Sequence, residues 1–253
     1  MFNENIESRQ FQIDPEKAGK PDKVNEREVL QHVESLLEKQ TNQIGKGRTA
    51  EVHFVETNDK ICYKIICRSE HFSTIQKSSK DSPGSMYHPL PVEAEYLESL
   101  QDIRSDVRVP RPLYTIERHR TGEEVDAINE ERLSILAMER LNAVSVRDVL
   151  EDKEPLPQAF NKQRFFEKLR DFFERMHEKS IHHRDAHDGN IMIDRETGEP
   201  YLIDFGSAAY GTDEDVYRDD YPGGKRIVYI KDVDNIEKVE RLLNLKGGLT
   251  KTT

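Results

Sequence analysis

The apolar positions in the first half of the chain fall mainly into short, strand-like runs. Runs at 52–55, 61–66, 113–118 and 133–139 predict four strands. Two segments instead follow the 3.6-residue period of a helix, namely residues 25–39, with Asn25 as a candidate cap, and residues 92–100. We therefore expect a strand-rich first half that contains two helices.

The second half of the chain is predominantly helical. A short helix is predicted at 145–150, and the long helix that follows has a single apolar face. That face consists of Phe165, Phe166, Leu169, Phe172, Phe173 and Met176. Short apolar runs at 191–193 and 201–203 flank a turn and predict a hairpin, and a last helix is expected at 235–244, ending at Gly247 and Gly248.

The order of the elements predicts a two-lobed molecule. The boundaries that we expect are an N-terminal arm and helix at 1–40, a first lobe at 41–139 and a second lobe at 140–253. Two lobes of this kind usually enclose a ligand between them. The polar segments 1–23 and 68–91 predict a flexible arm and a mobile loop.

Composition and charge exclude several classes of function. Charged residues make up 34% of the 253 residues, and no apolar run approaches the roughly 20 residues of a membrane span. The N-terminus lacks the apolar core of a secretory leader, so we expect a soluble protein without membrane insertion. The net charge of -11 has the wrong sign for binding nucleic acid by bulk attraction. An anionic ligand would therefore need a local glycine loop, lysine or metal.

The two cysteines indicate a reducing compartment. Cys62 and Cys67 lie five residues apart in one apolar run, so a strand would place them on opposite faces, where they could not easily form a disulfide. Free, buried thiols are typical of a reducing environment, and we expect a cytoplasmic location. Zinc is not expected, because the pair lacks ligand spacing and partners.

A glycine segment is the first candidate for chemistry. Gly45, Lys46, Gly47 and Arg48 lie between two predicted strands, where glycines let the backbone approach a polyphosphate closely. A turn with two glycines is by itself usually only a turn. The segment leads into a strand and not into a helix, which excludes a Rossmann dinucleotide site.

A lysine inside an apolar strand is the second candidate. Lys64 shares its predicted face with Cys62 and Ile66, so it would point toward a core or a cleft and would need a carboxylate partner. An edge lysine that reaches solvent is the alternative. Glu93 is the preferred partner and Glu95 the alternative. Leu97 and Leu100 continue the apolar stripe on which Glu93 lies.

The strongest candidate is the segment from His183 to Asn190, together with Asp204, Phe205 and Gly206. A metal site or a solvated loop would be the simpler interpretation. However, one carboxylate can orient a hydroxyl and accept its proton, while an amide and a second carboxylate hold a divalent metal over a triphosphate.

With the glycine loop, strand lysine, helix glutamate, His-Arg-Asp with Asn, and Asp-Phe-Gly in this order, the sequence resembles the protein kinase superfamily from about residue 43 to 209. The resemblance implies an α+β, bilobal kinase-like fold, with an antiparallel-sheet first lobe and a minimal helical second lobe. It also implies ATP and Mg²⁺ as cofactors.

The resemblance assigns a role to each matching position. Asp185 would be the catalytic base, Asn190 and Asp204 the Mg²⁺ ligands, and Lys64, held by Glu93, the contact to the phosphates. The residues that would surround the nucleotide are Gly45, Lys46, Gly47, Arg48, Val52, Cys62, Met192 and Ile203, with Met138 as gatekeeper and Glu139 and Leu141 on the hinge.

The sequence departs from the usual kinase pattern in three places. Ala50 replaces the third glycine of the loop, and His187 replaces the lysine two residues after the catalytic Asp, which puts stabilisation of the γ-phosphate in question. The sequence after Gly206 lacks the Ala-Pro-Glu and Asp-x-Trp segments. This short second lobe is similar to those of RIO and Bud32-like kinases and of compact bacterial effector kinases, although Arg184 is closer to ordinary kinases.

The leading interpretation is a monomeric Ser/Thr protein kinase that acts on a protein substrate, with an activating partner protein as an option. Delivery into a host cell as an effector is an alternative to a role in its own cell. A small-molecule or saccharide kinase and a nucleotide-binding pseudokinase scaffold stay open. We further expect that the acidic run at 211–215 pairs with Arg184 or other local bases, so that no activating phosphate is needed at Thr212.

Overall fold

The computed structural model describes residues 26–39, 43–46, 50–55, 58–68, 89–120, 131–212, 216, 218–220, 226–228 and 230–249. The chain divides into two compact units, the first comprising Met1–Ala94 and Arg111–Arg140 and the second Glu95–Pro110 and Leu141–Thr253. Residues 95–110, which sequence analysis placed in the first lobe, belong to the second unit. The expected arm at 1–23 and nearly all of the expected loop at 68–91 lie outside the described residues.

A five-stranded antiparallel sheet forms most of the first unit. Its strand order is β1-β2-β3-β5-β4, so β3 is the central strand. The elements of this part of the chain are α1 (Glu26–Lys39), β1 (Gln43–Lys46), β2 (Glu51–Val55), β3 (Asn58–Arg68), α2 (Leu90–Leu100), β4 (Pro112–Arg120) and β5 (Glu131–Glu139).

The core of the first unit lies between α1 and one face of the sheet. Val33 and Leu36, on the apolar face of α1, pack in one cluster with Tyr63, Ile65 and Ile135 of the sheet. Because side chains alternate along a strand, Tyr63 and Ile65 facing this core place their neighbours on the opposite face of β3. Those neighbours are Cys62, Lys64 and Ile66, which sequence analysis placed together on one face of this strand.

The second unit contains two longer helices, a three-stranded sheet ordered β6-β8-β9 and two small strand pairs, β7 with β10 and β11 with β12. Its elements are β6 (Ala143–Ser145), α3 (Val146–Leu150), α4 (Lys162–Glu178), β7 (Ile181–His182), β8 (Ile191–Asp194), β9 (Pro200–Leu202), β10 (Ala209–Tyr210), β11 (Arg218–Asp220), β12 (Arg226–Val228) and α5 (Asp232–Leu249), with a 3₁₀ turn at Phe205–Ser207.

The long helix α4 organises the second unit. All six residues of its predicted apolar face are buried, as their spacing requires. Its N-terminus is capped by Asn161, whose side chain accepts a hydrogen bond from the backbone N–H of Arg164. Helix α5 adds Ile236, Val239 and Leu243 to the buried residues of this unit.

The structure corrects the predicted bounds of the last helix. Helix α5 begins three residues earlier than expected, at Asp232, and extends to Leu249, past the glycines that were expected to end it. The apolar period begins only at Ile236, whereas the first turn is stabilised by acidic residues near the positive end of the helix dipole. None of the described helices is long and apolar enough to cross a membrane.

Candidate active site

A buried ion pair lies in the first unit. The Lys64 Nζ atom, on the central strand β3, donates hydrogen bonds to Glu93 Oε1 at 2.8 Å and to Oε2 at 2.7 Å. Lys64 is 7% exposed and Glu93 only 2%. Since the removal of either partner would leave an uncompensated charge away from water, the two side chains depend on each other.

The pairing distinguishes between the two candidate glutamates. Glu93 lies in the first turn of α2, and Leu97 and Leu100 on the same stripe are buried as expected. Glu95 is exposed instead. The predicted partner of Lys64 is therefore confirmed as Glu93, and the alternative Glu95 is wrong.

The thiol of Cys62 lies in a buried environment near the end of β5. Its Sγ donates a weak hydrogen bond to the carbonyl of Glu139 at 3.7 Å, and Cys62 pairs with Met138 across the two strands. Burial raises the pKa of the Cys62 thiol to about 12, which the nearby Arg140 only partly offsets. The backbone N–H of Glu139 donates a hydrogen bond to the backbone carbonyl of Arg111 at 2.9 Å. The expected roles of Cys62, Met138 and Glu139 in holding a nucleotide base stay predictions.

The glycine segment lies where the sequence predicts it, between two paired strands. Gly45 pairs with Val52, and Lys46 with Glu51, at the end of β1 and the start of β2. Gly47 and Arg48 lie outside the described residues. The two predicted flanking strands are confirmed, and a role of the segment in phosphate binding stays a prediction.

In the second unit, the loop after β7 is fixed by hydrogen bonds around Asp185. The Asp185 backbone N–H donates to Nδ1 of His183 at 3.2 Å, and Nε2 of His183 donates to the Ile203 carbonyl at 2.9 Å. His183 is fully buried and packs edge-on against Phe205, with ring centroids 4.6 Å apart. A neutral imidazole thus joins the Asp185 loop to the strand end that carries Asp204.

Hydrogen bonds connect Asn190 both to the Asp185 loop and to Ile203, the residue that precedes Asp204. The Asn190 Nδ2 donates to the Asp185 carbonyl at 2.9 Å, and the Ile203 N–H donates to the Asn190 carbonyl at 3.0 Å. Asp204 adopts a left-handed conformation with φ 63°, and its Oδ1 accepts a bond from Gly206 at 3.4 Å. Because Nδ2 of Asn190 is committed to the loop, its Oδ1 is the oxygen suited to a hard cation such as Mg²⁺.

Sequence analysis assigned no role to Asp232, which the structure places under the Asp185 loop. Its carboxylate accepts from the backbone N–H groups of His183 and Arg184, both at 2.9 Å, and lies 3.2 Å from His177 Nε2. Burial acts to raise the pKa of Asp232, but these donors outweigh it and hold the pKa below its usual value. Arg184 has φ 67°, and the two N–H bonds hold this strained backbone in place.

Three side chains in this region have potential ligating atoms within 4.8 Å of one another. They are His177, His182 and Asp232. The two imidazole rings stack at 4.3 Å, and Nε2 of His182 lies 3.1 Å from the Gly211 carbonyl. Since Asp232 accepts three hydrogen bonds, this arrangement is accounted for by hydrogen bonding, without a metal.

His187 lies beside Asp185, with its Nε2 3.8 Å from Asp185 Oδ1. On its other side, Nδ1 faces the guanidinium of Arg147, at 3.3 Å from Nη2. Arg147 in turn binds Asp188. Sequence analysis did not single out Arg147, because its position on a short helix shows no periodic or motif signal.

The remaining expectations concern three apolar residues expected near the nucleotide and the acidic run at 211–215, of which the structure describes only part. Met192 lies in β8, Ile203 follows β9, and both are partly buried. Leu141 follows β5 and is partly buried as well. In the acidic run, residues 213–215 lie outside the described residues, so its pairing with Arg184 stays a prediction.

Comparison with known proteins identifies the class. The protein kinase domain family matches residues 38–221, and the chain therefore belongs to this family. The match confirms the expected α+β kinase fold, which the antiparallel sheet of the first unit and the helices of the second reflect.

Among curated proteins, the chain is similar to the serine/threonine-protein kinase pim-2 of Danio rerio. The two are 28% identical over 171 residues, which cover 66% of this chain and 51% of that protein. The chain thus spans about half the length of this curated relative. The likeness to RIO and Bud32-like kinases or to bacterial effectors stays a prediction.

Proposed function

We propose that this chain is an ATP- and Mg²⁺-dependent kinase that transfers phosphate to Ser or Thr of a protein substrate. Membership in the protein kinase domain family supports phosphoryl transfer, and the similarity to a serine/threonine-protein kinase favours the hydroxyl of Ser or Thr as acceptor. Phosphoryl transfer requires positioning and charge neutralisation more than covalent chemistry, so a few ordered groups suffice.

The observation that carries the proposal is the ordered loop around Asp185. Its backbone is fixed through His183, Asn190 and Asp232 by hydrogen bonds of 2.9 to 3.2 Å. Asp185 is partly exposed at its side chain, while the groups that hold it are buried. A carboxylate that is accessible and is carried on a firmly held backbone is suited to orient a hydroxyl and to accept its proton.

The other charged groups provide a suitable set for a magnesium nucleotide. Lys64, fixed by Glu93, is suited to contact phosphate oxygens as a point charge. The amide oxygen of Asn190 and the carboxylate of Asp204 are hard oxygen donors, the type that Mg²⁺ prefers. The bound cation would neutralise phosphate charge during transfer.

The test is phosphoryl transfer from labelled ATP with Mg²⁺ to protein and peptide acceptors that offer Ser, Thr or Tyr. We expect label on Ser or Thr, and we expect Asp185→Asn to lower the rate by roughly 10²–10⁴-fold, since it removes the base. Asp171→Asn is the matched control, because Asp171 is an exposed aspartate on α4 that accepts two hydrogen bonds from Arg175 on the same helix.

Two outcomes would contradict the proposal. Transfer that is unchanged in Asp185→Asn would exclude this residue as the base, and transfer confined to tyrosine or to small molecules would exclude the acceptor class. ATP binding should persist in Asp185→Asn, which separates loss of chemistry from loss of folding.

A nucleotide-binding scaffold without turnover is the second candidate, and His187 favours it. A neutral imidazole carries no fixed charge where related kinases place a lysine, so the developing charge would be less well stabilised. Saturable nucleotide binding with no transfer to any acceptor would support this candidate.

A further inference from the structure

Arg147 is joined to the loop that follows Asp185 by both its backbone and its side chain. Its N–H donates to the Asp188 carbonyl at 2.9 Å, and its guanidinium donates to Asp188 Oδ1 from Nε at 3.2 Å and from Nη2 at 2.8 Å. The hydrogen bond to Asp188 raises the pKa of Arg147, which therefore stays charged. Three hydrogen bonds from Arg147 to Asp188 thus connect helix α3 to this loop.

The same guanidinium helps to determine which nitrogen of His187 carries the proton. Nδ1 of His187 faces two donors, the Gly189 N–H at 3.0 Å and Arg147 Nη2 at 3.3 Å. Asp188 Oδ1, the acceptor that would favour a proton on Nδ1, is farther away at 3.8 Å and is bound to Arg147. A ring nitrogen that faces two donors is an acceptor, so the neutral ring carries its proton on Nε2.

The packing around Gly189 shows that these side chains fill a defined space. A Cβ atom on Gly189 would lie 2.9 Å from Arg147 Cζ and 3.0 Å from His187 Cε1. Both distances are shorter than ordinary contacts, so a larger residue would push the guanidinium or the imidazole aside. The absence of a side chain at this position is what lets Arg147 and His187 approach each other.

We propose that Arg147 is a positioning residue, which holds His187 as its Nε2–H tautomer and directs that donor toward the side of Asp185. Nε2 is 3.8 Å from Asp185 Oδ1, too far for a direct bond and close enough for both groups to contact one reacting phosphoryl or hydroxyl group. The catalytic part of this inference rests on the proposed function.

The arrangement gives His187 a definite part in phosphoryl transfer. As the acceptor oxygen bonds to the γ-phosphorus and the bond from that phosphorus to the leaving ADP breaks, Nε2–H of His187 would donate to an oxygen of the transferred group. Asp185 would accept the proton of the attacking hydroxyl. The positive charge of Arg147 on the Nδ1 side polarises the ring and strengthens Nε2–H as a donor. A cation and a neutral imidazole together would then do part of the work of the missing lysine.

The tautomer can be measured without any activity, by long-range ¹H–¹⁵N NMR of protein labelled at its nine histidines, with His187→Gln to assign the signal. In the wild type we expect Nε2 protonated and Nδ1 as acceptor. In Arg147→Gln, the released Asp188 carboxylate can accept from Nδ1–H, so the Nδ1 signal should shift toward the protonated form. Gly189→Ala retains Arg147, but its methyl group would displace the guanidinium from His187. This variant should therefore shift the signal in the same direction.

Arg175→Gln is the matched control, because Arg175 has a similar exposure (47% against 45% for the side chains) and also makes a paired contact with an aspartate. It should leave the His187 signal unchanged. A wild-type His187 protonated on Nδ1, or a signal that Arg147→Gln does not move, would overturn the inference whether or not the protein transfers phosphate.

Kinetics then test the catalytic part. We expect Arg147→Gln to lower kcat about tenfold, less than the loss of a direct donor, with KM for ATP nearly unchanged. An unchanged kcat would limit Arg147 to a structural role and contradict the proposal. A wild-type protein that transfers no phosphate would contradict the proposed function instead. The NMR measurement would still test whether Arg147 determines the tautomer of His187.

Discussion

The charged groups of the two units are held in different ways. In the first unit, the buried charges of Lys64 and Glu93 neutralise each other directly, within 2.8 Å. In the second unit, the carboxylate of Asp232 is stabilised by hydrogen bonds from two backbone N–H groups and from the ring of His177. The first arrangement is a direct contact between two oppositely charged side chains, whereas the second distributes its hydrogen bonds over the backbone of a loop.

We expect the ion pair to affect mainly the stability of the first unit, and the hydrogen bonds of Asp232 to affect mainly the shape of the Asp185 loop. The ion pair fixes two side chains whose backbone is already held by the hydrogen bonds of a central strand and a helix. The loop around Asp185 has little regular structure, and its residue Arg184 has a left-handed conformation. Its shape therefore depends on Asp232 and on the neutral ring of His183.

The largest expected effect is the loss of one partner of the ion pair. Lys64→Met or Glu93→Leu alone should lower the free energy of unfolding by about 3–5 kcal/mol, because an unpaired charge stays buried. The double variant should lose less than either single one. Urea denaturation of all four proteins measures this coupling.

An exposed ion pair provides the control for this cycle. Lys153 and Glu151 form a contact in which both side chains are about half exposed or more. The same substitutions there should change stability very little, since solvent screens the charges. Equal losses at the two pairs would contradict the importance of burial.

The next effect tests the loop. Asp232→Ala removes the acceptor of two backbone N–H groups, so we expect a loss of about 2–4 kcal/mol of stability, from buried donors without partners. Asp234→Ala, at an exposed position of the same helix, should have little effect. If Asp232→Ala were as stable as Asp234→Ala, the loop would not depend on this carboxylate.

The two arrangements should also differ in acid. Because the pKa of Asp232 is lower in the folded state than in the unfolded chain, its ionised form stabilises the fold above the ordinary pKa of 3.8. That stabilisation is lost as the pH falls through the lower, folded-state pKa. The stability difference between the wild type and Asp232→Asn should therefore narrow from pH 5 toward pH 2, and a constant difference would contradict the shift.

The last expectation concerns reactivity and not stability, at the thiol of Cys62 on the same strand as Lys64. With its pKa raised to about 12, Cys62 should react with an alkylating reagent at pH 8 roughly a thousandfold more slowly than an unfolded cysteine. Cys67→Ser leaves Cys62 as the single thiol, and alkylation in urea supplies the reference rate. Rapid modification of the native protein would show that this face of the sheet opens.

The sequence predicts those parts of the fold that have a strong period. The helix around α4 and the strands β3 and β5 follow directly from their apolar positions, and Glu93 follows from the stripe that continues through Leu97. The short strands β7 and β10, each of two residues, could not be found in this way, because two residues contain no period.

The candidate site shows the same division. Asp185, Asn190 and Asp204 are marked by a motif, whereas the groups that hold them are not. Asp232 lies 47 residues from Asp185 along the chain, and only folding brings it to the N–H groups of His183 and Arg184. Arg147 reaches His187 in the same way, through tertiary structure that no local pattern encodes.

The double anchoring of Ile203 has a consequence for ligand design. Its N–H is bound by Asn190 and its carbonyl by His183, and the next aromatic ring, Phe205, is fully buried. An inhibitor that needs Phe205 to swing outward would have to break both bonds and expose that ring to water, at a cost of several kcal/mol. Screening should therefore favour compounds that bind with Phe205 in its buried position over compounds that require it to move outward.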